Sequence, residues 1–267
     1  MEKLEQLRHY LAKYDSALIA FSGGVDSTFL AKVAAGIPGK QVLLVTATSC
    51  TYPASELAEA KRLAEKLDLR HQVIISEEID IPAFARNTPD RCYHCKHELF
   101  SQLLTIARKE GLAAVFEGST VDDLDDYRPG RRAIMELGIV SPLLETGWTK
   151  QEIRTYSDRL HLETAAKPSF ACLASRFPYG ETITREKLKR VDTAEAAVKK
   201  IGFRQFRVRS HENCARIEVA PEEMENAWTH HAQLDAICRE AGFVYCALDL
   251  RGYRTGAMNE TLPRDNR

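Results

Sequence analysis

Six consecutive residues, Ser22-Gly23-Gly24-Val25-Asp26-Ser27, combine what a bound phosphate needs. Two adjacent glycines let the backbone turn tightly and approach an anion closely. The apolar run at 16–21 reads as a buried strand and residues 26–35 read as a helix. The helix N-terminus presents N–H groups without acceptors and the positive end of its dipole. Ser22 and Ser27 add hydroxyl donors. The spacing is neither a Walker A loop, which carries a Lys after its last Gly, nor the dinucleotide fingerprint. The bland alternative is a Gly-Gly turn in which Asp26 or Ser27 merely caps the helix. The strand–turn–helix context favours phosphate binding.

A second chemistry lies in Cys92-Tyr93-His94-Cys95, at the expected start of a helix over 94–110. Such a pair is open between a redox couple, half a zinc site and part of an iron–sulfur site. The chain has no second C-x-x-C to complete a four-thiolate zinc site. Cys50 follows the second expected strand, and Cys172 lies in the segment that joins two expected domains. Cys214, Cys238 and Cys246 fall in strand or helix patterns and read as small core residues. Three ligands, Cys92, Cys95 and Cys172, would leave one iron of a [4Fe–4S] cluster open, as chemistry at a cluster requires. Otherwise Cys172 is a buried linker residue.

Charge adds a third group. Residues 181–216 carry ten basic and five acidic side chains in a chain of net charge −1. Arg207 and Arg209 are two apart on an expected strand, so they share a face. Paired guanidinium forks suit a phosphate or a carboxylate, although a solvated charged face would look the same. Asp122, Asp123, Asp125 and Asp126 form an acidic cluster after the fourth strand, either a solvated loop or an aid to positioning ATP·Mg²⁺.

These groups need a scaffold. The first two thirds alternate apolar strands (16–21, 42–47, 71–75, 113–117) with helices (26–35, 54–67, 94–110, 149–160). Strands apolar throughout, alternating with helices, mean a parallel sheet covered on both faces, with ligands at its carboxyl edge. Thr149 and Glu152 form a capping-box pattern. After Pro168 the pattern changes to a helix over 184–201, strands at 206–209, 215–219 and 244–250, and helix over most of 221–241. The expected division is an α/β phosphate-loop domain over 1–167 and a smaller α+β domain over 168–267. With 267 residues, 44% apolar and 28% charged, the chain is long enough for both and far from a disordered composition. A near-neutral total gives no bulk attraction to nucleic acid or anionic membrane. No apolar run reaches membrane-span length, and the first ten residues read as a charged amphipathic stretch, not a signal peptide. Seven cysteines without an export signal point to a reducing, cytoplasmic setting.

SGGVDS at the end of a first strand resembles the PP-loop of the ATP pyrophosphatase superfamily. Its members split ATP to AMP and pyrophosphate, and most activate a carboxyl or carbonyl oxygen by adenylylation. The resemblance implies that Ser22, Gly23, Gly24, Asp26 and Ser27 hold the pyrophosphate end of ATP, with Mg²⁺ bridging phosphate oxygens. It places adenine near Thr46 to Thr48 and near Gly118. Further motifs follow in order: Asp126-Tyr127-Arg128-Pro129-Gly130, Ser175-Arg176-Phe177-Pro178-Tyr179-Gly180, the run 206–209 with 215–218, and the run 249–254 with Met258-Asn259. Together with the loop they resemble the LarE family of ATP-dependent sulfur transferases over essentially the whole chain. That family makes the nickel-pincer nucleotide of lactate racemase. It converts carboxylates of a pyridinium-3,5-biscarboxylic acid mononucleotide into thiocarboxylates. The resemblance implies that Arg207, Arg209 and Glu218 bind substrate or support transfer, with Arg176 and Glu195 beside them. In the best-known branch a sacrificial cysteine lies five positions before the Arg of SRFPYG; here Ala171 stands there and Cys172 follows it. The C-x-x-C is also present, where that branch has other residues. Both departures resemble the branch in which three cysteines, here Cys92, Cys95 and Cys172, hold a [4Fe–4S] cluster carrying an extra sulfide. A homo-oligomer is expected, and the sulfide donor is open. Two other readings are a PP-loop tRNA thiolase using a cluster and a nucleotide-binding regulatory module with structural zinc.

Overall fold

Strands whose neighbours cover both edges, and whose faces are both covered by helices, must be apolar throughout; that pattern organises the first part of the fold. The computed structural model describes residues 2–124, 129–168, 170–254 and 256–261. Its elements run α1 (Glu2–Leu11), β1 (Ser16–Ala20), α2 (Val25–Ala35), β2 (Gln41–Thr48), α3 (Ala54–Lys66), β3 (Arg70–Ile75), α4 (Pro82–Ala85), α5 (Arg91–Lys109), β4 (Ala114–Phe116) and α6 (Gly130–Glu136). They continue with α7 (Pro142–Glu145), α8 (Lys150–Arg159), α9 (Arg185–Lys200), β5 (Phe206–His211), β6 (Cys214–Val219), α10 (Met224–Thr229), α11 (His231–Glu240) and β7 (Tyr245–Leu248). The chain forms two compact units. One comprises Met1–Glu78 and Asp90–Phe170, the other Ile79–Pro89 and Ala171–Arg267.

The first unit is built on a parallel sheet of order β3-β2-β1-β4. Successive residues of the central strands feed opposite cores. Ala17, Ile19, Val42 and Leu44 pack with Phe29 and Leu30 of α2 and with Trp148. Leu18, Leu43 and Val45 pack with Phe100, Leu103 and Ala107 of α5. β3, at the edge, has only exposed and half-buried residues and ends on exposed Ile75. Val140 bridges to Phe116 and extends the sheet beyond β4. Thr149 and Glu152 make the expected capping box at α8. Among the described residues no helix is long and apolar enough to cross a membrane.

The second unit carries a mixed sheet of order β5-β6-β7, with β5 and β6 antiparallel and β6 and β7 parallel. α9 is N-capped by Thr184 and packs on β5. The stretch 79–89 belongs to this unit. The Asn87 side-chain amide donates to Phe177 O (3.2 Å) and Pro178 O (2.6 Å), and Gly180 N donates to Asn87 O (2.9 Å).

The α/β class with a parallel sheet and a separate small sheet is as expected. Local boundaries differ. α5 begins at Arg91, so Cys92 and Cys95 both lie inside it. The helix expected over 221–241 is broken into a 3-10 turn, α10 and α11, with His230 between the two helices.

Candidate functional site

The phosphate loop leaves β1 at its carboxyl end, where Phe21 N still donates to Val45 O at 2.8 Å. The chain turns at Gly23, whose φ of +65° is the left-handed conformation that favours glycine. A Cβ there would also stand 3.0 Å from Ala60 Cα of α3. Gly24 caps α2 with no side-chain hydrogen bond, so the first-turn N–H groups have no intrahelical acceptor. The Ser22 and Ser27 hydroxyls are 3.2 Å apart. Gly24 N donates to Ser22 Oγ and Ser22 N to Ser27 Oγ, each at 3.3 Å. Ser22, Gly24 and Ser27 are thus linked by hydrogen bonds across the loop.

Asp26 lies in the first turn of α2. Its Oδ2 pairs with Lys150 Nζ at 3.0 Å, whereas its buried Oδ1 accepts no hydrogen bond among the described residues. Burial pushes its carboxyl above the ordinary range, against the opposing pull of Lys150. A carboxylate oxygen short of a partner is the hard donor that Mg²⁺ takes, so this residue fits the ion. Gly118, just past β4, abuts the loop: a Cβ there would stand 3.4 Å from Asp26 Cβ and from Ser27 N. The buried Thr46 hydroxyl donates to Phe21 O at 2.6 Å and lies 2.8 Å from His71 Nε2. Asp122 Oδ2 accepts from Lys150 N (2.7 Å) and Asp123 Oδ2 from Thr120 N (2.8 Å). Asp125, Asp126, Tyr127 and Arg128 lie outside the described residues.

Several side chains around the loop have no motif that announces them. Tyr52 Oη donates to Ser22 O at 2.8 Å. Lys167 Nζ donates to Gly23 O at 3.1 Å and pairs with Glu56 (2.8 Å) and Glu59 (3.0 Å) of α3. Only the spacing of Glu56, Glu59 and Ala60, which puts them on one helix face, is legible in advance.

In the second unit Arg176 and Arg209 each bind a carboxylate, and both also bond to Ser175, whereas Arg207 Nη1 donates to Phe206 O at 2.6 Å. Arg176, buried, donates Nε to Glu195 Oε1 and Nη2 to Glu195 Oε2, both at 2.8 Å. Its Nη1 donates to Ala171 O (2.8 Å), Cys172 O (3.2 Å) and Ser175 Oγ (2.7 Å), so Arg176 braces the backbone at Cys172. Glu195 Oε1 also accepts from Val208 N of β5 at 2.9 Å. Arg209 donates Nε and Nη2 to Glu218 Oε2, at 3.0 and 2.8 Å, and Nη1 to Ser175 O at 2.7 Å. Glu218 is fully buried, and Arg216 Nη2 stands 3.2 Å from its Oε1 without hydrogen-bond geometry. Arg207 pairs in register with Glu218, and its guanidinium lies 5.1 Å from the centre of the Tyr253 ring. Burial, then the nearby Arg176 cation, hold Arg207 below the usual arginine range. An anion at this face would relieve that repulsion.

Cys92 and Cys95 are three apart on α5 and so share a face; Cys92 is exposed and Cys95 half-buried. His94 Nε2 lies 3.3 Å from Asp90 Oδ2, and the Arg132 guanidinium covers the Tyr93 ring at 3.8 Å. Cys172, in the second unit, is half-buried and opens a 3-10 turn, Leu173–Arg176. All seven cysteines are among the described residues, and none of them forms a disulfide. Among the described residues no three His, Cys, Asp or Glu side chains are grouped as a metal site. Two thiols on one helix face, one of them exposed, suit a thiolate-ligated group by donor chemistry.

The asparagine synthase family model matches residues 15–108, the stretch that holds the phosphate loop. A pyridinium-3,5-bisthiocarboxylic acid mononucleotide synthase of Lactiplantibacillus plantarum is 36% identical over 247 residues, covering 92% of this chain and 90% of that one. The chain belongs to the LarE family. LarE-type similarity extends to an uncharacterised protein of Synechocystis, 42% identical over 265 residues and 98% of each chain. A protein of Methanocaldococcus jannaschii is 28% identical over 266 residues, 96% of this chain and 98% of that one. As a LarE-family chain the protein is an ATP-dependent sulfur transferase, which accounts for a phosphate loop that is neither Walker A nor dinucleotide-binding.

Proposed function

We propose that this LarE-family protein converts carboxylates of pyridinium-3,5-biscarboxylic acid mononucleotide into thiocarboxylates, using ATP and a sulfide. The observation that carries this reading is similarity running through both units to a relative named for that bisthiocarboxylic product, rather than through the loop alone.

In the first half-reaction a substrate carboxylate oxygen attacks the α-phosphorus of ATP. The new O–P bond forms as the bridging P–O bond breaks, and pyrophosphate leaves with the electron pair. The N–H groups of the first turn of α2 and the Ser22 and Ser27 hydroxyls stabilise that departing charge. Asp26 offers the unpartnered oxygen for Mg²⁺, which when bound neutralises phosphate charge. Adenylylation is required because a bare carboxylate is a poor electrophile. In the second half-reaction sulfide attacks the acyl carbon. The C–S bond forms, the C–O bond to AMP breaks, and a thiocarboxylate remains.

Arg207 and Arg209 hold the substrate phosphate and carboxylate, with Glu218 orienting Arg209. Arg176 and Glu195 position this pair and the backbone of Cys172. Thr46 and Gly118 line the adenine end. Cys92, Cys95 and Cys172 are the thiolates that would hold a [4Fe–4S] cluster, which when bound would supply sulfide for the transfer. The setting proposed for this chemistry is the reducing cytoplasm.

The test is protein isolated without oxygen, assayed for iron and acid-labile sulfide. It is then supplied with ATP, Mg²⁺, sulfide and the biscarboxylic nucleotide. AMP and pyrophosphate should form together with a product in which sulfur replaces carboxylate oxygen, read by mass spectrometry. Pyrophosphate release that ignores the nucleotide, with no sulfur incorporated, overturns the reading. Product limited to one sulfur per chain in iron-free protein would move Cys172 to a sacrificial role.

A further inference from the structure

The phosphate loop has no cation of its own, and the first basic residue of α2 is Lys32, in its last turn. Its grip on an anion therefore depends on where its backbone N–H groups point. In a trans peptide the C=O and the following N–H point in opposite directions. Whatever captures the Ser22 carbonyl sets the direction of the Gly23 N–H. Whatever captures the Gly23 carbonyl sets that of the Gly24 N–H. Both carbonyls are captured, and by side chains from outside the loop: Tyr52 Oη on Ser22 O at 2.8 Å, and Lys167 Nζ on Gly23 O at 3.1 Å.

Lys167 is fully engaged. An ammonium has three N–H donors, and Lys167 meets three acceptors: Gly23 O, Glu56 Oε2 at 2.8 Å and Glu59 Oε2 at 3.0 Å. Its side chain is only 12% exposed and that of Glu56 10%. Glu56 and Glu59 sit on the face of α3 whose Ala60 a Gly23 Cβ would strike. One cation beside two carboxylates leaves the trio negative, so it is no counter-charge for phosphate; its reach to the carbonyl is positional. Burial, then Glu56 and Glu59, push the Tyr52 phenol above its usual range, so it stays a donor. The Gly24 N–H already meets an oxygen, Ser22 Oγ, at 3.3 Å.

We infer that Tyr52 and Lys167 are positioning residues for pyrophosphate: by holding two successive loop carbonyls they turn the Gly23 and Gly24 N–H groups to the opposite, anion-binding side. Gly23 turns the chain at φ +65° and Gly24 is extended at φ −78°, ψ 169°, so the two held carbonyls fix the direction of the loop backbone just before α2. The inference rests on the reading of this loop as the pyrophosphate site.

Tyr52→Phe, Lys167→Met and Lys167→Arg in the full chain test it, with binding of ATP·Mg²⁺, inorganic pyrophosphate and AMP measured by calorimetry. Tyr52→Phe and Lys167→Met should each weaken ATP and pyrophosphate about tenfold, the worth of one aligned hydrogen bond to a charged acceptor. AMP, which lacks the pyrophosphate, should bind as to wild type, and Lys167→Arg should recover most of the loss. Unchanged pyrophosphate binding in both variants overturns the inference. So does AMP binding weakened in the same proportion, which would make these residues general supports of the fold. If Lys167→Met does not fold, Tyr52→Phe decides alone, since it removes one hydroxyl and keeps the ring, whose centre lies 6.0 Å from that of Phe170. Wild-type protein that binds neither ATP nor pyrophosphate overturns the loop reading itself, a result visible without any variant.

Discussion

Arg176 grips Glu195 with two parallel hydrogen bonds, Nε to Oε1 and Nη2 to Oε2, both at 2.8 Å. The pair is nearly dry, with 1% and 13% of the two side chains exposed. Removing one partner of such a pair leaves an uncompensated charge. Arg176→Met should lower the unfolding free energy by about 3–5 kcal/mol, read as a shift of the urea midpoint. A shift below 1 kcal/mol, on the order of an exposed pair, would mean that Glu195 finds water.

Arg207 lies beside the Arg176 cation and is the residue proposed to receive the substrate anion. Arg207→Ala should raise KM for the phosphorylated substrate about tenfold or more while leaving the affinity for ATP alone. Steady-state kinetics with the nucleotide varied would show it. Unaltered kinetics would return this strand to a solvated charged face.

Gly23 has both a left-handed backbone and no room. Gly23→Ala should cost about 1–2 kcal/mol from the conformation alone, with a further loss from the 3.0 Å approach to Ala60 Cα. Pyrophosphate release should fall with it. A variant as stable and active as wild type would show that the turn relaxes.

Asp26 carries a pH signature. Its folded-state carboxyl titrates above the ordinary value, chiefly through burial. The protonated form is therefore the better tolerated one in the fold. Stability from this group is fully present below the ordinary carboxylate value and is lost as pH rises through the raised one. Asp26→Asn should accordingly be more stable than wild type at neutral pH, and the difference should vanish in acid. Its pyrophosphate release should stop. Denaturant titrations at neutral and acid pH measure the first effect. Greater stability of wild type at neutral pH would mean that Lys150 outweighs burial.

The cysteines should separate the two half-reactions. Protein isolated without oxygen should show the absorption of the proposed iron–sulfur cluster, and Cys92→Ala or Cys172→Ala should remove that absorption and sulfur transfer while AMP formation persists. Transfer at the wild-type rate would remove the thiolates from the chemistry.

What the sequence reveals follows from how local each feature is. The phosphate loop is legible because six contiguous residues carry it. β1 and β2 are legible because burial on both faces makes them apolar throughout. β3 lies at the edge and shows a weaker pattern. The start of α5 is hard to place because Asp90, at its N-cap, does not cap the helix with its side chain. The break at His230 is masked because helical periodicity continues on both sides. Tyr52, Glu56, Lys150 and Lys167 escape notice because only tertiary folding brings such distant positions to one loop. The alternation at Arg207 and Arg209 announces a shared face, whereas their links to Arg176, Glu195 and Glu218 join separate elements that no spacing rule connects.

The excursion of Ile79–Pro89 into the second unit means that the backbone passes between the units three times, after Glu78, Pro89 and Phe170. Neither half is a contiguous stretch of polypeptide. A fragment ending near residue 167 would keep an arm whose Asn87 had lost its carbonyl acceptors at Phe177 and Pro178. Grafting or swapping these halves between related enzymes would therefore require cutting at all three junctions, and a single-cut chimaera should misfold.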